Sequence, residues 1–266
     1  MAFDWIGALP RPVLIGERLN AAGNPRLAAR LAAGEWAAVG EEARAQAAAG
    51  ARVLDVCGAL SGADERATLR EMLARACAAC DLPIAVDSRD PAVAIEALEA
   101  LAAARRPALF NSVPATRDGL ERTLPRAAAL VVPVVVLAMD EAGVPPSAEG
   151  RFACAERVVR AGRALAMPDA HLIIDCLAVP APAGRAESSS PLLANAVALD
   201  AMRLAKSRLG VSLVLGISNV SYGIAPSSAR RAANAAFLRE ALAAGLDFAI
   251  ADPLDPEIRR ALASGC

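Results

Sequence analysis

Acidic and amide side chains recur directly after short apolar runs of the sequence. These residues are Glu17, Asp55, Asp87, Asn111, Asp140, Asp175, Asn219 and Asp252. Carboxylate and amide oxygens accept hydrogen bonds, and a bond that involves a charged group is worth roughly 1.5–3 kcal/mol. Because no nucleophile accompanies these oxygens, the set predicts a site that holds a polar heterocycle carrying several N–H groups.

An aspartate at the end of a strand can also serve as the N-cap of the next helix. In this sequence Asp90 and Asp255 each directly precede a proline, the residue that is favoured at the first helical position. We therefore expect these two residues to be the caps. That leaves Asp87 and Asp252 for other roles, and Asp175 lies too far before the next helix to cap it.

Several other chemistries lack the residues they need. The only histidine, His171, opens the sixth predicted strand and should face the opposite rim from the acceptors, so a zinc or iron site is hard to build and no metal is predicted. The only lysine, Lys206, lies inside a predicted helix, which argues against a Schiff base. Neither a GxSxG elbow nor a phosphate-binding P-loop occurs in the sequence.

The elements that must position the acceptors follow one repeating pattern, in which a short apolar run precedes a longer segment of helical period. The predicted strands are Val13–Arg18, Ala51–Cys57, Leu82–Ser88, Ala108–Val113, Val132–Met139, His171–Leu177, Val211–Asn219 and Asp247–Asp252. The predicted helices are Pro25–Ala49, Asp64–Cys80, Pro91–Ala104, Asp118–Leu130, Ala148–Ala166, Pro191–Leu209, Ser228–Ala244 and Pro256–Ala263.

Eight β–α units in 266 residues predict an α/β protein with a single (β/α)₈ TIM-barrel domain over residues 1–266. An open dinucleotide-binding sheet would instead carry GxGxxG after its first strand, where this sequence has Gly-Glu-Arg-Leu-Asn at positions 16–20. In such a barrel the active site lies at the carboxyl ends of the strands, which is where the acceptor residues fall.

The net charge and the length of the apolar runs argue against two classes of protein, those that bind nucleic acid and those that span a membrane. A net charge of −1, from 28 basic and 29 acidic residues, argues against a nucleic-acid partner. The longest apolar run, Ala127–Met139, is interrupted by Pro133 and is shorter than the about 20 residues that a membrane helix needs. Because Met1–Pro10 lacks the pattern of a signal peptide, we expect a cytoplasmic protein.

Six motifs in order carry a family resemblance. They are Leu-Ile-Gly-Glu-Arg-Leu-Asn from Leu14, Val-Leu-Asp-Val-Cys from Val53, Ile-Ala-Val-Asp-Ser from Ile84, Phe-Asn-Ser from Phe110, Leu-Ile-Ile-Asp from Leu172 and Gly-Ile-Ser-Asn-Val-Ser from Gly216. With them the sequence resembles the pterin-binding methyltetrahydrofolate:corrinoid methyltransferases. That family includes the corrinoid/iron–sulfur protein methyltransferase and the folate domain of cobalamin-dependent methionine synthase.

The resemblance implies specific roles for individual residues. Those that it places at the folate are Asp87, Asn111, Asp175, Gly216, Ser218, Asn219 and Arg230. Asn219 matches the asparagine that contacts N5, the atom that bears the methyl group, and would act in catalysis together with Asp87 and Asp175. The sequence departs from the family at Cys57, where many relatives have asparagine, and in the longer loop at positions 221–228.

The resemblance also implies substrates and partners. The methyl donor or acceptor would be methyltetrahydrofolate or tetrahydrofolate. The corrinoid (cobalamin) would be carried by a partner protein, since the sequence lacks the DxHxxG motif of a cobalamin-binding domain. The family implies a homodimer whose barrel mouth stays clear for the corrinoid protein.

Two alternatives stay open. A dihydropteroate synthase-like enzyme would need basic residues for a pyrophosphate and a Gly-Gly-Glu-Ser-type turn, where this sequence has Cys-Gly-Ala-Leu at positions 57–60. A non-catalytic folate-binding protein is the other, and it is suggested by Cys57 and the longer loop.

Overall fold

Short runs rich in valine, leucine and isoleucine become parallel strands that close into a barrel. The computed structural model describes residues 4–180 and 191–264. Each strand pairs with the next one along the chain, and the eighth pairs with the first, so the predicted (β/α)₈ fold is confirmed. The strands are β1 (Val13–Asn20), β2 (Val53–Cys57), β3 (Ile84–Asp87), β4 (Ala108–Pro114), β5 (Val134–Leu137), β6 (Leu172–Asp175), β7 (Ser212–Gly216) and β8 (Phe248–Ala251).

Helices follow the strands and surround the barrel. The α-helices among the described residues are α1 (Pro25–Ala32), α2 (Ala37–Ala48), α3 (Glu65–Ala79), α4 (Pro91–Ala103), α5 (Leu124–Ala129), α6 (Ala148–Ala164), α7 (Pro191–Ala194), α8 (Ala196–Leu209), α9 (Ser227–Ala243) and α10 (Pro256–Ser264). A π-helical turn, Gly119–Thr123, precedes α5, and 3₁₀ turns lie at Asp169–His171 and Ile217–Ser221. No helix in the described part of the chain is long and apolar enough to cross a membrane.

The predicted helix caps are confirmed. The Asp90 carboxylate accepts a hydrogen bond from the backbone N–H of Ala92, at 2.8 Å. The Asp255 carboxylate accepts one from the backbone N–H of Glu257, at 2.9 Å. Because these two residues satisfy the first turns of their helices, Asp87 is free of that role.

Two predicted helices are each divided in the structure, and a third begins with a π-helical turn. The stretch over Pro25–Ala49 is wrong as one helix, because it breaks before Trp36 at Gly34, whose φ of +80° no helix contains. The Pro191–Leu209 stretch breaks at Asn195, whose buried side chain instead bonds the backbone of Val179. The stretch from residue 118 to 130 begins with a π-helical turn because Pro125, at the start of α5, has no N–H to donate.

Alternate positions of each strand fill the barrel interior. Inward-facing apolar residues include Val53, Ala85, Leu109, Ile173 and Val214. Two residues further along the same strands stand Asp55, Asp87, Asn111, Asp175 and Gly216. Since side chains alternate between the two faces of a strand, these residues also point inward, directly above the apolar filling.

The amino-terminal end of the barrel is closed by the segment before β1. Ile6 is fully buried and packs with Trp5 and Leu9 against the interior residues. His171 lies at this same end, buried, with its Nε2 3.8 Å from a carboxylate oxygen of Asp4. The prediction that the histidine faces away from the acceptor residues is therefore confirmed.

Candidate active site

A cavity of about 800 Å³ opens at the carboxyl-terminal end of the barrel. Of the residues that the sequence singled out for the folate site, those lining it are Asp87, Asn111, Asp175, Gly216 and Asn219. Glu17 and Asp55 line the same cavity, and Leu137 and Ile250 give it apolar surface above the barrel filling. The structure thus gathers residues from all eight strands into one polar chamber.

Two irregularities in the strands lie at this chamber. In β1 the pairing with β2 shifts between Gly16 and Leu19, which places Glu17 inside a bulge. In β4 the pairing with β5 shifts between Asn111 and Val113. A bulge re-aims side chains that a regular strand would point elsewhere. The strand pairing is therefore irregular at Glu17 and next to Asn111, two residues that line the cavity.

Asp55 fixes the orientation of Asn111. The Asn111 Nδ2 donates a hydrogen bond of 3.0 Å to Asp55 Oδ1, which belongs to the next strand but one. Burial raises the pKa of Asp55 well above its usual value, and the nearby Asp87 carboxylate raises it further. With its N–H₂ group held in this way, Asn111 offers its oxygen to the cavity as a hydrogen-bond acceptor.

Asp87 lies at the end of β3, beside Cys57 on β2. Burial raises the pKa of Asp87 to about 6, while a hydrogen bond from the Cys57 thiol and the charge of Arg89 act in the opposite direction. Burial together with the neighbouring Asp87 carboxylate raises the pKa of Cys57 to about 12, so its sulfur stays protonated near neutral pH. Cys57 thus supplies a hydrogen-bond donor next to Asp87.

A rigid turn after β6 holds Asp175. The backbone N–H of Leu177, a residue with a φ of +64°, donates a 2.7 Å hydrogen bond to Asp175 Oδ1. The buried Arg151 donates two further bonds of 2.7 Å to the carbonyls of Cys176 and Leu177. Burial raises the pKa of Asp175 to about 7. One carboxylate oxygen is thereby anchored, which leaves the other to face the cavity.

Asn219 lies on the 3₁₀ turn after β7, because the strand ends at Gly216 instead of at Asn219 as predicted. A Cβ atom at Gly216 would stand 2.9 Å from Asn219 Nδ2, so glycine is what leaves room for this amide. Asn219 does not have a positive φ, and so the left-handed conformation that asparagine tolerates is not its reason for being there.

Ser218 and Arg230 line a neighbouring cavity of about 310 Å³ instead of the main one. The two cavities share Glu17, whose carboxylate accepts a 2.5 Å hydrogen bond from the Ser218 hydroxyl. Burial raises the pKa of Glu17 to about 7, with Ser218 and nearby arginines lowering it in part. Ser218 is therefore in contact with Glu17 and reaches the main cavity only through it.

Two of the acceptors identified in the sequence do not line the main cavity. Asp140 lies beyond β5 in a tight turn and forms an ion pair with Arg157, at 3.5 Å. Asp252 forms an ion pair with Arg18, at 2.9 Å. Both carboxylates thus form ion pairs with arginines, and the pattern of strands in the sequence did not predict these pairs.

The structure adds cavity residues that the sequence reasoning had passed over. Asn20 and Arg89 both line the chamber. Arg89 stands between Asp87 and the capping Asp90, a position at which a side chain must emerge on the rim, and this spacing could have revealed it. Within residues 4–180 and 191–264, no cluster of three or more histidine, cysteine or acidic side chains is arranged to hold a metal ion.

Buried carboxyls make the stability of the unliganded protein depend on pH. Asp175, with a pKa near 7 in the folded state and about 4 when unfolded, contributes stability below pH 4 that is lost as the pH rises through 7. Between low and high pH, the free energy of unfolding should fall by roughly 2–4 kcal/mol more in the wild type than in Asp175→Asn. Urea unfolding of both proteins at pH 5 and pH 8 tests this, because all other groups are shared. If the free energy of unfolding changed equally with pH in the wild type and in Asp175→Asn, this role of Asp175 would be wrong.

Comparison with known proteins places this chamber in a family. The family described as "Pterin binding enzyme" matches residues 16–252. The chain belongs to the pterin-binding enzymes. Over 248 residues it is 32% identical to methionine synthase of Mycobacterium leprae (strain TN). The matched segment is 91% of this chain but only 20% of that protein. The chain thus spans about a fifth of the length of the methionine synthase that it matches.

Other relatives of this pterin-binding chain are of similar length to it. Methylcorrinoid:tetrahydrofolate methyltransferase of Eubacterium limosum is 25% identical over 252 residues, which are 94% of this chain and 88% of that one. The structure of dihydropteroate synthase from Thermus thermophilus superimposes with a TM-score of 0.66 at 24% identity, covering 96% of this chain and 93% of that one. At this identity the second likeness shows a shared fold alone.

Proposed function

We propose that the protein transfers a methyl group between N5 of methyltetrahydrofolate and the cobalt of a corrinoid carried by a partner protein. The observation that carries this proposal is the convergence of Asp87, Asn111 and Asp175 on one cavity, with Asn219 on the turn beside it. A relative similar over nearly the whole chain is named methylcorrinoid:tetrahydrofolate methyltransferase, and this name supports the same reaction.

The chamber suits a reduced pterin because its acceptors complement the N–H groups of that ring. Burial raises the pKa of both Asp175 and Asp87, so each carboxylate gains from a ligand that donates hydrogen bonds to its ionised form. Asn111 adds an amide oxygen whose orientation Asp55 already fixes. The acceptors are thus arranged before the ligand arrives, which lowers the entropic cost of binding.

In the transfer towards the corrinoid substrate, cobalt(I) would donate an electron pair to the methyl carbon and become cobalt(III), while the bond between that carbon and N5 breaks and leaves its pair on N5. The electron pair left on N5 needs a proton, because an unprotonated amine is a poor leaving group. The oxygen of Asn219 can accept a hydrogen bond from protonated N5, which strengthens as the charge at N5 develops. Glu17, with a pKa near 7, can exchange protons with water in the cavity.

Several further features of the proposal rest on the family resemblance. They are a corrinoid protein as the partner, a homodimer, a cytoplasmic location and one catalytic domain over residues 1–266. The role of Arg230 near the folate is also a prediction, because its side chain lines the smaller cavity. These features stay predictions.

A direct assay tests the reaction. Methyltetrahydrofolate and free cob(I)alamin are mixed with the protein, and the formation of methylcobalamin is followed by its absorbance, with heat-inactivated protein as the control. We expect turnover well above the uncatalysed rate. Binding of methyltetrahydrofolate without turnover would instead support a non-catalytic folate-binding protein. Formation of dihydropteroate from a pterin pyrophosphate and 4-aminobenzoate would support a synthase, and either result would overturn the proposal.

A further inference from the structure

A buried arginine lies behind the turn that carries Asp175. Arg151 is in the first turn of α6, and only 5% of the residue is exposed. Its Nε donates a 3.0 Å hydrogen bond to the carbonyl of Pro145, in the segment between β5 and α6. One of its terminal nitrogens donates bonds of 2.7 Å to the carbonyls of Cys176 and Leu177. A single side chain thus joins the segments that follow β5 and β6.

The bonds from Arg151 hold an unusual backbone conformation. Leu177 has a φ of +64°, which lies in the left-handed region that residues with a Cβ rarely adopt. In this conformation its N–H reaches Asp175 Oδ1 at 2.7 Å. Arg151 bonds the two carbonyls that precede and follow this N–H along the chain. It therefore fixes the turn at Asp175, although it does not itself line the main cavity.

The positive charge of Arg151 has no carboxylate in contact with it. Its bonds go to backbone carbonyls, and among the described residues no acidic side chain forms an ion pair with it within 4.0 Å. A buried charge is costly unless another charge compensates for it. The acidic side chain on which this charge acts is Asp175, because Arg151 lowers the pKa of that carboxyl against the effect of burial.

The surroundings of Asp175 contain no other charge on the neighbouring strands. Its partner on β5 is Leu137, and its partner on β7 is Val214. The adjacent Cys176 thiol is uncharged near neutral pH, because burial raises its pKa. The other charged residues that line the cavity lie on or after β1 to β4, none of which pairs with β6, and they are Glu17, Asp55, Asp87, Arg89 and Asp118.

We propose that Arg151 is a positioning residue for folate binding, which holds the turn after β6 and supplies the positive charge that keeps the Asp175 carboxylate ionised for the pterin. The proposal rests on the proposed function, since it takes a pterin to be the ligand that donates to Asp175. An ionised carboxyl group accepts hydrogen bonds at both oxygens, whereas a protonated one presents an O–H donor in place of one acceptor. Without a compensating charge, burial favours the protonated form.

Three variants on α6 separate the charge of Arg151 from its packing. Arg151→Lys keeps the positive charge, whereas Arg151→Gln loses it but keeps an N–H₂ group that can bond one of the carbonyls. Arg160→Gln is the control, because the Arg160 side chain is on the same helix, is 75% exposed and pairs with Glu156. The titration of Asp175 is followed by NMR of ligand-free protein labelled with ¹³C-aspartate, and Asp175→Asn identifies its signal.

We expect the pKa of Asp175 to rise above its wild-type value of about 7 in Arg151→Gln, and to stay near that value in Arg151→Lys and Arg160→Gln. Calorimetric affinity for tetrahydrofolate at pH 7 should fall about tenfold in Arg151→Gln and less than about threefold in the other two. If Arg151→Gln does not fold, the same comparison is made in a Leu177→Gly background, because glycine adopts a positive φ without a Cβ clash.

Two outcomes of the titration would contradict the role of the charge. A pKa that fell in Arg151→Gln towards about 4, the value of an exposed aspartate, would mean that Arg151 only holds the turn closed. An unchanged pKa would mean that its charge does not act on Asp175. Either result would overturn this proposal and leave the proposed function standing. If tetrahydrofolate did not bind the wild type, the proposed function would be wrong whatever the titration showed.

Discussion

Replacing Asn219 with alanine should lower the rate of methyl transfer about a hundredfold, while folate affinity falls much less. In the proposed mechanism the amide oxygen meets N5 mainly when N5 is protonated, so its removal should cost roughly 3 kcal/mol in the transition state. In the ground state the unprotonated N5 has no N–H to donate to Asn219, so we expect the binding free energy of methyltetrahydrofolate to weaken by only about 1 kcal/mol. Single-turnover rates and calorimetric affinities for methyltetrahydrofolate separate the two effects.

Two variants of the same turn serve as controls for Asn219. Asn219→Gly should be as slow as the alanine variant, because it also lacks the amide. Gly216→Ala should be slowed although the amide is retained, because the new Cβ would stand 2.9 Å from Asn219 Nδ2 and displace it. If Asn219→Gly transferred methyl groups at the wild-type rate, Asn219 would be a turn residue and the role at N5 would be wrong.

Replacing Asp175 with asparagine should weaken folate binding about a hundredfold at pH 8. The substitution keeps an acceptor for the Leu177 N–H, at 2.7 Å in the wild type, so the turn should survive. It removes a charged acceptor from the cavity and presents an amide that can place an N–H against those of the pterin, which costs roughly 3 kcal/mol. Calorimetry with tetrahydrofolate measures the effect.

The pH profile and a matched variant sharpen this experiment. If the ligand needs Asp87 and Asp175 ionised as proposed, wild-type affinity should rise from pH 5 and level off above pH 7. Asp175→Asn should lose the part of the rise around the Asp175 pKa of about 7 and keep the part around the Asp87 pKa of about 6. Asp140→Asn is the control, because Asp140 also follows a strand but pairs with Arg157 outside the main cavity. If Asp175→Asn and Asp140→Asn lost similar amounts of tetrahydrofolate affinity, the proposed role of Asp175 in binding would be wrong.

Much of the fold was predictable because local patterns determine it. Near-continuous apolar runs mark strands that are covered on both faces, and the caps at Asp90 and Asp255 mark where helices start. Helix lengths were less predictable. The break at Asn195 depends on a hydrogen bond to Val179, which lies 16 residues away and has no signature in the helical pattern itself.

The sequence by itself determined that Asp87 and Asp175 point into the barrel mouth. Strand alternation requires that Asp87, two residues after the interior Ala85, points the same way, and the same holds for Asp175 after Ile173. This inference needs only the strand period. For the same reason the motifs at the strand ends were enough to indicate the family.

Only the tertiary structure decided which of these side chains share a cavity and in what state. Asp252 is diverted by Arg18, which is 234 residues away in the chain, and the smaller cavity joins Glu17 of β1 to Arg231 and Asn234 of α9. The raised pKa of Asp175 likewise follows from burial by distant segments. Barrel closure, desolvation and long-range pairing depend on residues far apart in sequence, and so no local pattern can report them.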